Sequence, residues 1–163
     1  MALLGIVFLP ERMFGIMGYK GNIFEAVIRE VLDGDTVDVD IDLGFDIWLR
    51  DQRVRLNGID TPESRTRDLE EKKFGLLAEA RLRELLPTGS KKVLRSYGRG
   101  KFGRILGDFM VTNAKSVVDT LIDEYHGLPY TGGNRADMKA QHIANRPKVL
   151  SQMAVEAEDG NAR

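Results

Sequence analysis

Residues 33–42 read DGDTVDVDID, and no other stretch limits the folds open to this chain so tightly. Val37, Val39 and Ile41 alternate with aspartates, a period of two that fits a β-strand with one face buried. Asp33-Gly34, just ahead, is a strong signal for a tight hairpin turn. EAVIREVL at 25–32 supplies the preceding strand, and DIWLRDQRVRLNGI at 46–59, after a turn at Gly44, supplies a third. Three successive strands joined by short turns make an antiparallel meander.

The second half reads differently. Thr61-Pro62 predicts a helix start, a capping hydroxyl followed by proline in the first turn, with the helix in earnest from Asp68. Phe74, Leu77, Ala78, Leu82, Leu85 and Leu86 fall on one helical face, and Pro87 with Gly89 ends it. KKVLRSYG (91–98) and RILGDFMV (104–111) predict two further strands around a glycine-rich loop. SVVDTLIDEY, capped by Ser116, and NRADMKAQHIANRP (134–147) predict two more helices, followed by a polar tail that frays beyond Ser151. Five strands with helices inserted late define an α+β fold on a small five-stranded β-barrel with three helices.

With 42% hydrophobic residues, 163 residues suffice for one domain with a real core. The expected organisation is an N-terminal arm over 1–22, a domain over 23–150 and a tail over 151–163. No apolar run has the length needed to span a bilayer, so no membrane association is expected. The opening MALLGIVFLP lacks a preceding basic residue and a following small-residue cleavage site, which leads to an expected cytoplasmic location. Cysteine is absent, so thiolate metal sites and a cysteine nucleophile are excluded, and any metal must be held by oxygen or imidazole. The net charge of −1 hides two blocks. DGDTVDVDIDLGFD (33–46) carries six aspartates and no basic residue, and KKVLRSYGRGKFGR (91–104) carries six Lys or Arg and no acid. Such segregation suits a site where a cation and a polyanion meet, and equally two solvated loops.

Three stretches carry chemistry together: DGDT (33–36), VRLNGIDTPES (54–64) and YGRGKFGR (97–104). Asp35 ends one hairpin and Asp60 ends the next strand, so neighbouring strands can present both carboxylates at one barrel rim. Adjacent aspartates repel unless a cation sits between them, and a hard divalent ion takes carboxylate and carbonyl oxygens. Arg55 and Arg104 keep their charge and can each grip a phosphate with paired hydrogen bonds. Glu63, three residues past Asp60, is placed to address a water. These are the parts of a phosphodiester hydrolase.

In that order, DGDT, RLNGIDTPE and KFGR closely resemble the staphylococcal (micrococcal) nuclease family, from about Ile28 to Tyr130. The wording around them, with LIDEYHGLPYTGG later, is most similar to members carried by tailed phages. The resemblance implies an OB-type five-stranded barrel with three helices and Ca2+-dependent cleavage of the P–O5′ bond of DNA and/or RNA, leaving 3′-phosphates. It implies Asp35 and Asp60 as metal ligands, with the Thr61 backbone carbonyl. Arg55 and Arg104 match the phosphate-gripping arginines, and Glu63 the carboxylate usually assigned as general base. Lys101 and Phe102 match a lysine-tyrosine pair lining the nucleotide site, and Tyr130 a tyrosine that flanks the base. Single-stranded substrate, a monomer and the cytoplasm of an infected bacterium are expected with it. Arg104 is preferred to Arg99 because it directly precedes an apolar strand.

Three departures from the family pattern stand out. Phe102 lacks the tyrosine hydroxyl, Gly100 stands where an aspartate often precedes the lysine, and VVD after Ser116 replaces Val-Asn. Trp48 is expected to be partly buried packing, and His126 and His142 to be ordinary surface or loop residues. The competing class is a non-catalytic single-stranded nucleic-acid-binding module of OB type, although a pure binder has no need of Asp35, Arg55, Asp60, Glu63 and Arg104 together. A third is a phage assembly protein that borrows the fold.

Overall fold

The computed structural model describes residues 22–130, 132 and 134–161. The expected N-terminal arm therefore lies outside the described residues except for Asn22, which opens the first strand. Five strands close a barrel: β1 (Asn22–Asp33), β2 (Thr36–Asp42), β3 (Trp48–Leu56), β5 (Lys91–Arg99) and β6 (Ile105–Phe109), in the order β1-β2-β3-β6-β5. Closure comes from β3 and β6, which run parallel with Val54 opposite Ile105, whereas the other pairs are antiparallel. Irregularities between Ile28 and Glu30 and between Val31 and Asp33 bend β1, so one strand serves both β2 and β5. Three helices complete the α+β fold: α1 (Leu69–Leu85), α2 (Val117–Asp123) and α3 (Arg135–Asn161).

The alternation in β2 places Val37, Val39 and Ile41 inside, where they meet Ile28, Val54, Leu56, Leu94 and Phe109. Leu82 of α1 and Leu121 of α2 extend the same core; each is fully buried and contributes about 2 kcal/mol of transfer free energy. Arg81 grips Glu124 through two hydrogen bonds of 2.6 and 2.7 Å and ties α1 to α2. The α2 cap is reciprocal: Ser116 Oγ accepts from the Asp119 amide at 3.1 Å, and Asp119 Oδ2 accepts from the Ser116 amide at 3.3 Å. This is how the chain accommodates VVD.

Several expectations are corrected. The third strand does not run through 46–59; it stops at Leu56, and Ile59–Asp60 form a separate strand β4 that pairs with β7 (Leu128–Pro129). Gly58, at φ 86°, supplies the turn that divides them. Thr61-Pro62 does not start α1. Asp68 caps it instead, its carboxylate accepting from the Glu71 amide at 3.1 Å, with Glu70 and Glu71 favourably placed in the first turn. The third helix does not end at Pro147; α3 continues past Ser151 to Asn161.

Two aspartates of the acidic block are neutralised by arginines of the barrel strands. Asp38 is gripped twice by Arg53, at 2.8 Å each, and Asp40 binds Arg50 at 2.8 Å with Arg29 at 3.8 Å. Trp48 is half-buried, with the Arg50 guanidinium 4.7 Å from its ring centroid. Among the described residues no helix is long and apolar enough to cross a membrane.

Candidate active site

One end of the barrel opens into a cavity of about 620 Å³, walled by Asp35, Arg55, Asp60, Thr61, Glu63, Arg104 and Tyr130, with Asp33, Glu71, Met138, Lys139 and His142 beside them. Four separate segments deliver the five charged groups singled out in the sequence. Pairing of Asp33 with Thr36 leaves Gly34 and Asp35 as the two turn residues between β1 and β2, so Asp35 stands at the barrel rim. Thr36 lies opposite Arg55 across the β2–β3 ladder, and the Leu56 amide donates to the Asp35 carbonyl at 2.8 Å. The Arg55 guanidinium consequently meets the Asp35 carboxylate directly, donating to Oδ2. Thr36 Oγ1 donates to Oδ1 at 2.8 Å. Burial pushes the Asp35 carboxyl up to about 6, against the pull of Arg55 and with help from the Asp33 charge.

Asp60 arrives on β4, held by Leu128 of β7. Its Oδ2 lies 2.8 Å from His142 Nε2, a contact made by α3. Glu63 follows on an irregular segment and turns its Oε1 onto the Arg65 amide at 2.9 Å. Two glycines make these placements possible. A Cβ on Gly34 would sit 2.8 Å from Thr61 Oγ1, and one on Gly75 would sit 2.6 Å from backbone atoms of Glu63 and Ser64. The segment carrying Thr61 and Glu63 is thus pressed between the hairpin turn and α1.

Arg104 immediately precedes β6; it is half-buried, its carbonyl accepts from the Gly100 amide at 2.8 Å, and its guanidinium makes no ion pair or hydrogen bond with any described residue. Arg99 is committed elsewhere, donating to the Gly103 carbonyl at 2.7 Å and to Gln52 Oε1 at 2.9 Å, and so holds the loop between β5 and β6. Lys101 and Phe102 occupy a single 3-10 turn in that loop, outside the cavity wall, with Phe102 91% exposed at φ 64°.

One histidine departs from expectation. His142 is a helix residue on the cavity wall, whereas His126 lies in the loop after α2, as expected, though buried there. Lys139, one turn before His142, lies 3.4 Å from Asp68 and 3.5 Å from Glu71. A faint signal existed for both: Met138, Lys139 and His142 share one face at helical spacing. Nothing local says which strand that face meets.

Two carboxylates followed by Thr61 form a hard oxygen donor set of the kind Ca2+ or Mg2+ accepts. A divalent ion there would relieve the desolvated Asp35, so the residues fit such an ion. Among the described residues no three His, Cys, Asp or Glu side chains form a ready-made metal cluster.

A closed mixed barrel whose rim gathers two aspartates, two arginines and a glutamate has the form of a phosphodiester-processing OB-type domain. The profile described as staphylococcal nuclease homologue matches residues 53–148, more than half of the chain, and the chain belongs to that family. The match begins after β2, so Asp35 lies outside it and is tied to the site by its contact with Arg55. No curated protein matches the chain significantly.

Proposed function

We propose that the chain is a Ca2+-dependent nuclease that hydrolyses phosphodiester bonds of DNA and/or RNA, with single strands preferred. The observation that carries this reading is the meeting of Asp35, Arg55, Asp60, Glu63 and Arg104, from four separate segments, on one cavity. Asp35, Asp60 and the Thr61 carbonyl would hold the cation, which when bound would offset the charge of the scissile phosphate. Glu63 orients the attacking water and takes its proton. Arg104, whose guanidinium has no internal partner among the described residues, and Arg55, once released from Asp35, stabilise the negative charge that builds on the phosphate oxygens. The bond broken is P–O5′, so the phosphate stays on the 3′ end and the leaving oxygen becomes a 5′-hydroxyl. Tyr130 at the cavity wall packs on a neighbouring base, and Lys101 and Phe102 contact the strand further along.

One observation favours a second reading. Asp35 and Asp60 are both held internally, by Arg55 and His142, as they would be in a binding module that never takes a cation. Incubation of labelled single-stranded DNA with Ca2+, Mg2+ or EDTA, followed by end-group analysis, separates the two. The nuclease reading expects Ca2+-dependent fragments with 3′-phosphates. Retention of intact, bound DNA under every condition supports the binding module.

A further inference from the structure

α3 meets the site through residues on one helical face. Lys139 reaches Asp68 and Glu71, His142 reaches Asp60, and one turn on the Arg146 guanidinium lies 5.3 Å from the centroid of the Phe74 ring. These contacts flank the imidazole on either side along the helix, so the position of α3 sets where the imidazole stands. The His142 side chain is only 12% exposed and that of Asp60 32%.

The direction of the hydrogen bond follows from chemistry. An ionised Asp60 has no proton to give, so Nε2 of His142 carries the hydrogen and donates it to Oδ2. While it does so, Nε2 has no lone pair for a metal, and His142 is not itself a ligand through that atom. What it does is fix the carboxylate. β4 is only two residues long and pairs with β7, and among the described residues His142 is the hydrogen-bond partner of the Asp60 side chain.

We infer that His142 is a positioning residue for the cation site: it holds one oxygen of Asp60 and so presents the other, Oδ1, to the metal. The inference rests on the proposed reading of Asp60 as a cation ligand. Partners of this kind around a metal site set ligand orientation, and their loss typically costs about 10- to 100-fold in metal affinity.

Calorimetric titration of Ca2+ alone into the full chain tests it, with wild type, His142→Ala, His142→Gln and Asp60→Asn, each checked by thermal unfolding. The expected result is Ca2+ binding weakened about 10- to 100-fold by His142→Ala and largely recovered by His142→Gln, whose amide is again a donor. Asp60→Asn removes the heat of binding. Equal affinity in wild type and His142→Ala overturns the inference, and so does tighter binding in His142→Ala, which would make the histidine a competitor of the metal. A loss of affinity that His142→Gln does not recover reduces His142 to a packing role and overturns it as well. If the wild type takes up no Ca2+, the metal reading of the whole cavity falls and this inference falls with it.

Discussion

Gly34 and Thr61 are packed so closely that a methyl group added to the glycine would lie 2.8 Å from the threonine Oγ1 and 2.9 Å from Cβ of Ala78. Gly34 is needed here for space: the turn that carries Asp35 must touch the segment that carries Asp60 and Glu63. Gly34→Ala is therefore expected to destabilise the fold by about 1–3 kcal/mol. It should also slow hydrolysis well beyond the folded fraction lost. Thermal unfolding combined with rate measurement on the folded fraction checks both.

A second glycine reverses an ordinary rule. Within a helix, Gly→Ala usually stabilises by about 0.5–1 kcal/mol. At Gly75 of α1 the new methyl would stand 2.6 Å from backbone atoms of Glu63 and Ser64, which cannot swing aside as a side chain tip can. Gly75→Ala should destabilise by about 2 kcal/mol or more. Denaturant unfolding of the two proteins gives the sign directly, and a stabilised Gly75→Ala protein would show that the Glu63 segment is free to retreat.

The barrel itself depends on a carboxylate away from the site. Asp51 interrupts β3 at φ 53°, and its amide donates to Asp40 Oδ1 at 2.9 Å. That hydrogen bond, followed by those from Arg50 and the charge of Arg29, holds the Asp40 carboxyl below the usual range. A lowered folded pKa means stability that is present above the unfolded value, about 3.9, and lost as pH falls through the folded one. Asp40→Asn should therefore be less stable than wild type at neutral pH, with the gap closing below about pH 4. Unfolding curves at pH 7, 5 and 3 measure it, and a gap that does not change with pH would contradict the assignment.

The barrel could be read from local signals, since the turn at Asp33 and the two-residue alternation in β2 report directly on strand geometry. Asp35, Arg55, Asp60, Thr61, Glu63, Arg104 and Tyr130 do meet on one cavity. What the sequence did not disclose is contact between distant parts. His142 and Asp60 are 82 residues apart in sequence, and a helical period shows a face without naming its partner. Thr61-Pro62 resembles a helix cap, yet packing against Gly34 and Gly75 keeps that segment irregular. Pro147 looks like a terminus, although it sits inside α3.

If phosphodiester bonds are cut in this cavity, Arg104 and Arg99 must differ sharply in their effect on the rate. Rates of Ca2+-dependent hydrolysis of single-stranded DNA would be measured for wild type, Arg104→Ala and Arg99→Ala. Arg104 is a cavity-wall guanidinium with no partner among the described residues, whereas Arg99 holds its own loop through Gly103 and Gln52. Arg104→Ala should lose about 10²–10³-fold in rate, and Arg99→Ala should change by less than about tenfold. Hydrolysis that survives in Arg104→Ala, or collapses only in Arg99→Ala, would place the chemistry outside this cavity.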